Sequence, residues 1–133
     1  MSKDISKVMV AVESPEHFQE LVDQSESKLV LIDCYAPWCG PCEALKPSLQ
    51  KVWMEYDLPA ERIVVATCDM VKYAAEIQGL FPENGPVIEN NGCLPLFLVV
   101  RFKALTSHIS GVDAPQLLTH IATNIPEKPN QDQ

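Results

Sequence analysis

The chain has 133 residues, 47% of them apolar and 21% charged, enough to bury one core without disulfide staples. Its net charge of -8 excludes nonspecific nucleic-acid binding, which needs a basic surface, and no apolar run approaches the roughly 18 residues of a membrane span. Five cysteines, an odd number, follow an N-terminus with no secretory pattern, so the expected setting is the reducing cytoplasm and not the disulfide-stapled secreted class.

Lys7 to Val12 (KVMVAV) reads as a short strand. Ser14-Pro15-Glu16 starts a helix, with Ser14 as N-cap, Pro15 at the first helical position and an acid in the first turn. That helix runs to Gln24 with Phe18, Leu21 and Val22 on one face, and a polar loop covers Ser25 to Ser27. Leu29 to Tyr35 (LVLIDCY) is a nearly continuous apolar run, as expected for a strand covered on both faces. A helical pattern extends from about Cys42 to Tyr56, carried by Leu45, Leu49, Val52 and Trp53, and Pro47 inside it is expected to kink it.

Arg62 to Ala66 reads as another buried strand and Val71 to Gln78 as a short helix. Gly79 to Cys93 is rich in Gly, Pro and Asn and reads as a long loop. Leu96 to Phe102 and Leu105 to Ser110 are strands close enough to form a hairpin. Ala114 to Ile125 is an amphipathic helix, and Glu127 to Gln133 is a polar tail. The order β-α-β-α-β-α-β-β-α predicts an α/β class: one domain over 1–126, a central mixed, mostly parallel sheet of about five strands, and about four flanking helices.

The chemistry concentrates in APWCGPCE, residues 36–43. A thiol attacks a disulfide only as thiolate. Cys39 is placed where the buried strand ends and a helix begins, and unpaired N–H groups with the positive end of the helix dipole favour a negative sulfur there. Cys42 is one helical turn on, close enough to close a disulfide with Cys39 and placed deeper. Cys39 is therefore expected to act as the nucleophile and Cys42 as the resolving thiol. Zinc needs four ligands, whereas Cys34, Cys68 and Cys93 are isolated and His17, His108 and His120 show no ligand spacing. No metal and no other cofactor is expected.

The segment LVLIDCYAPWCGPCEALKPSL resembles the strand, active site and kinked helix of the thioredoxin family, and the resemblance extends over nearly the whole chain. Trp38, Cys39, Gly40, Pro41 and Cys42 match the family's WCGPC motif, Asp33 its buried aspartate, and Pro47 its kink proline. CLPLFLVV resembles the segment holding the family's cis-proline, which makes Pro95 the counterpart. The resemblance implies the thioredoxin fold, a Cys39–Cys42 disulfide in the oxidised state, and protein disulfides as clients. Asp33 would accept the proton of Cys42, and burial should raise its pKa; a carboxyl that only hydrogen-bonds is the plainer alternative. Trp38 would shield the sulfurs, and Cys93, Leu94 and Pro95 would border the groove for an extended substrate.

The chain also departs from that pattern. Glu43 stands where many relatives carry a cation, and Thr67 near where many place a lysine beside the buried aspartate. The Gly79 to Cys93 loop is longer than usual, and the hairpin after Phe102 lacks a glycine turn. Cys93 is either a groove thiol able to form an intermolecular disulfide or a half-buried small residue, and Cys34 and Cys68 read as core. With the GVDAP ending, these features resemble the thioredoxin-like light chains of axonemal outer-arm dynein. That implies docking on a dynein heavy chain or another large axonemal subunit, in a cilium or flagellum. A free cytosolic thioredoxin is the competing expectation.

Overall fold

The computed structural model describes residues 5–36, 44–81, 96–111 and 113–127. In chain order the elements are α1 (Ile5–Val8), β1 (Val10–Ala11), α2 (Pro15–Gln24), β2 (Leu29–Tyr35), α3 (Lys46–Glu55), α4 (Pro59–Arg62), β3 (Ile63–Asp69), α5 (Ala74–Gln78), β4 (Leu96–Arg101), β5 (Ala104–Ser110) and α6 (Ala114–Asn124). The strands form a sheet in the order β1-β3-β2-β4-β5. β1, β3 and β2 pair in parallel, and β4 runs against both β2 and β5. This is the mixed five-stranded sheet expected from the strand–helix alternation, with the four expected helices and two single-turn helices, α1 and α4, added.

β2 is central, and its first six residues are buried, as its uninterrupted apolar run requires. Its side chains alternate between two cores. Val30, Ile32 and Cys34 join Phe18, Leu21 and Val22 of α2 and Ile77 of α5 on one face. Leu29 and Leu31 join Leu49, Val52 and Trp53 of α3 and Leu117 and Ile121 of α6 on the other. The N-terminus of α2 forms as its sequence dictates: the Ser14 hydroxyl accepts from His17 N–H at 3.0 Å, and Pro15 occupies the first turn. Asp113 caps α6 in the same way through Gln116 N–H.

The strand expected over Lys7 to Val12 shrinks to Val10–Ala11. Residues 5–8 are helical instead, because the Ile5 N–H is capped by Gln50 Oε1 at 2.7 Å and the Ile5 side chain is buried in the α3 core. A tertiary cap from a residue far along the chain overrides the local alternation. The helix expected from Cys42 is described from Lys46, and Pro47 lies in its first turn. In that position its missing N–H leaves no intrahelical bond unmade, and the stretch from Cys42 on which the expected kink also depends lies partly outside the described residues. β3 runs on to Asp69, three residues beyond the apolar stretch that marked it, because its register with β2 continues through Asp33↔Thr67, Cys34↔Cys68 and Tyr35↔Asp69. α5 is shortened to Ala74, since the Asp69 carboxylate takes the N–H groups of Val71 and Lys72 in a turn.

The β4–β5 hairpin turns on Phe102 and Lys103, both left-handed at φ 57° and 63°. Such two-residue turns favour Asn and Gly because side chains resist that conformation. Here Ser25, fully buried after α2, holds it in place. Ser25 accepts from Phe102 N–H at its carbonyl (2.7 Å) and from Lys103 N–H at its hydroxyl (2.8 Å). Arg101 Nη1 donates to the carbonyls of Ser25 and Glu26, and its guanidinium stacks 4.0 Å from the Phe102 ring. Among the described residues no helix is long and apolar enough to cross a membrane.

Candidate active site

β2 and β4 are antiparallel, with Cys34 opposite Leu96. The end of β2 and the start of β4 therefore lie at the same end of the sheet. The chain leaves β2 through Tyr35 and the buried Ala36 toward APWCGPCE, and resumes at Ala44 and the fully buried Leu45. It enters β4 directly after Cys93, Leu94 and Pro95. Topology thus anchors both expected functional segments at one edge of the molecule. Trp38, Cys39, Gly40, Pro41, Cys42 and Glu43 themselves, with Cys93, Leu94 and Pro95, lie outside the described residues.

Asp33 is the described member of the expected site, and it is 1% exposed. It sits two residues before the end of β2 and alternates with Leu31, which places it on the face covered by α3. Its register partners are Thr67 on β3 and Phe97 on β4. Thr67, which stands near where many relatives carry a lysine, is therefore Asp33's immediate neighbour on β3, and it is neutral.

Two further residues at this end carry shifted titrations that the sequence reading did not single out as functional. Burial pushes the Tyr35 phenol up, reinforced by the charges of Asp69, Cys68, Asp33 and Tyr73. Burial pushes the Cys34 thiol well above its ordinary range, reinforced by the neighbouring Cys68 thiol and the charge of Asp33. The ends of β2 and β3 thus gather several acidic groups in a poorly hydrated place. The alternation of LVLIDCY with VVATCD carries the signal that could have located them, once the two strands are known to pair in that register. Cys34 and Cys68 are buried, as read from their strand positions.

An apolar cleft of 230 Å³ opens elsewhere, between Val8, Val10, Leu21, Trp53 and the first half of β3. It lies toward the opposite end of the parallel strands, away from the segment that carries the dithiol. Among the described residues no group of three or more His, Cys, Asp and Glu side chains is placed to hold a metal ion.

Comparison with known proteins adds an independent line. The sequence pattern of the family described as Thioredoxin matches residues 9–81, a span that contains Asp33 and the whole of the WCGPC motif. Thioredoxin of Pongo abelii is 35% identical over 89 residues, covering 61% of this chain and 83% of that protein. Thioredoxin of Oryctolagus cuniculus is 34% identical over 67 residues, so the chain spans only 64% of that relative's length. In three dimensions, reduced Schistosoma mansoni thioredoxin superposes with a TM-score of 0.62 at 19% identity, covering 88% of this chain and 98% of that one. Mitochondrial thioredoxin 3 of Saccharomyces cerevisiae gives 0.61 at 22% identity, covering 92% and 99%. At these identities the structural likeness speaks for the fold.

Proposed function

The chain belongs to the thioredoxin family, and we propose that it is a thiol–disulfide redox protein working through Cys39 and Cys42 as a light chain of an axonemal dynein. The observation that carries the redox part is the joint presence, inside the matched span, of the intact WCGPC motif and of Asp33 buried on the strand that leads into it. In the reaction, the Cys39 thiolate attacks a client disulfide and forms a mixed disulfide, and one client sulfur leaves as thiolate. Cys42 loses its proton toward Asp33 and attacks the Cys39 sulfur. The second client sulfur then leaves, so the client gains two electrons and Cys39–Cys42 becomes the disulfide. In this proposal Trp38, Gly40 and Pro41 belong to the dithiol motif, and Cys93, Leu94 and Pro95 are assigned to client binding. No metal or other cofactor enters this scheme.

The light-chain part is supported by the Gly79 to Cys93 connection and the altered charges at Glu43 and Thr67. That connection carries Leu80, Phe81, Val87 and Ile88, more apolar content than a solvated linker needs. Its first residues already pack: Phe81 is buried and meets the His108 ring on β5 edge-on at 5.1 Å. A dynein heavy chain or comparable axonemal subunit is the partner in this reading, with a cilium or flagellum as the location. The second reading, a free cytosolic thioredoxin reducing protein disulfides, is favoured by the same intact motif and needs no partner.

Two measurements test the proposal. Reduction of insulin disulfides should be readily measurable for the native chain and absent for Cys39→Ser; equal rates would end the redox reading. Native purification from the source should recover the chain in a large complex, and exchanging residues 82–93 for a short connection should release it while leaving the dithiol couple intact. Recovery as a lone monomer would reject the light-chain role and leave the free oxidoreductase.

A further inference from the structure

We propose that Cys34 and Cys68 form a second dithiol of this chain, one that a hydroperoxide closes into a disulfide between two neighbouring parallel strands. The two cysteines are direct register partners, Cys34 on β2 and Cys68 on β3. Partners in a sheet project to the same side, and strands lie about 4.7–4.9 Å apart, inside the Cα separation of roughly 4.4–6.8 Å that disulfides use. Both side chains belong to the same apolar cluster, at 0% and 1% exposure. Their backbone contacts are long, 3.9 Å from Cys34 Sγ to the Ile32 carbonyl and 3.9 Å from Cys68 Sγ to the Asp69 carbonyl. Among the described residues no third ligand stands by to make the pair a metal site.

The chemistry balances with one hydroperoxide. The thiolate of one cysteine attacks the peroxide oxygen, the O–O bond breaks, and the alkoxide leaves as an alcohol after taking a proton. The resulting sulfenic acid is then attacked by the second thiol. An S–S bond forms and water leaves. Two thiols lose two electrons and the peroxide gains them.

The surroundings set the pace of this reaction. Burial and the neighbouring thiol hold Cys34 mostly protonated, so few thiolates are available and little oxidant arrives while β2 and β3 stay closed. Closure should therefore be slow and should follow opening of that strand pair. Once formed, the bridge ties the strand that carries Asp33 and leads to Cys39 onto its neighbour. It also encloses the whole connection through α3 and α4, which restricts the unfolded chain.

The test uses the full chain with Cys39→Ser, Cys42→Ser and Cys93→Ser, so that only Cys34 and Cys68 remain and the reading of the first dithiol plays no part. After exposure to tert-butyl hydroperoxide, the protein is denatured in an alkylating agent and weighed. The expected product carries no alkyl group, is lighter by two hydrogens, yields a linked Cys34–Cys68 peptide, melts at higher temperature than the reduced form, and reverts with a reductant. Adding Cys34→Val should abolish the linked peptide. Recovery of two alkylated thiols, or of separate sulfinic acids without a link, overturns the proposal. If the triple variant does not fold, peptide mapping of the oxidised unsubstituted chain decides: a Cys34–Cys68 link supports the proposal and its absence overturns it.

Discussion

Asp33 and Thr67 stand side by side as register partners on parallel strands, on the α3 face of the sheet. The β3 neighbour of Asp33 is a neutral threonine, near where many thioredoxins carry a cation. Thr67→Lys should restore one. A neighbouring positive charge favours the ionised acid and lowers its pKa by roughly 1 unit or more. If Asp33 must be ionised to accept the Cys42 proton, the acid limb of the pH–rate profile for insulin reduction should move to lower pH. An unmoved profile would mean that Asp33 does not titrate in the reaction.

Asp33→Asn should slow disulfide reduction by roughly tenfold or more, the scale of a lost proton acceptor. The neutral isostere removes the desolvation cost of a buried carboxylate, so thermal stability should hold or rise. Rate and melting temperature need to be measured on the same preparation. A loss of both would make Asp33 a structural residue.

Alkaline stability should report on Cys34. Its folded-state pKa lies above the unfolded value of about 9.0, so the unfolded chain releases this proton first. The stability contributed is complete below that unfolded value and is lost as pH rises toward the folded one. Urea unfolding from about pH 8 to about pH 10.5 should therefore fall more gently in Cys34→Val than in the native chain. Tyr35, also shifted upward from 10.0, contributes in the same direction at the upper end, and Tyr35→Phe separates the two. Parallel curves for Cys34→Val and the native chain would contradict the assignment.

The hairpin offers an opposed pair of substitutions. Ser25→Ala removes the hydroxyl that accepts from Lys103 N–H and should destabilise the fold by about 1–3 kcal/mol, the cost of leaving a partly buried donor unmet. Lys103→Gly relieves a left-handed side chain and should stabilise by about 0.5–1 kcal/mol. Its lost contact with Glu26 is an exposed ion pair at 3.4 Å and weighs little. Denaturant titrations of both variants check the signs; stabilisation by Ser25→Ala would show that the turn holds itself.

What the sequence determined by itself follows from short-range rules. The apolar run Leu29–Tyr35 had to be covered on both faces, Ser14 and Pro15 had to open a helix, and the strand–helix alternation had to build a layered sheet, because burial and capping depend on residues a few positions apart. The same locality exposed Asp33 as a carboxyl in an apolar strand and the Cys39–Cys42 spacing as a redox motif. Only the tertiary structure decided the rest. Whether residues 5–8 coil or extend depended on Gln50, 45 positions from the Ile5 N–H that it caps. How far β3 ran depended on β2, and Phe102 and Lys103 could turn left-handed only against Ser25. The pairing of Cys34 with Cys68 rests on register, and a slip of one residue would send one thiol to each face. Register is fixed by what packs on the two faces of the whole sheet, and no local stretch of sequence contains that information.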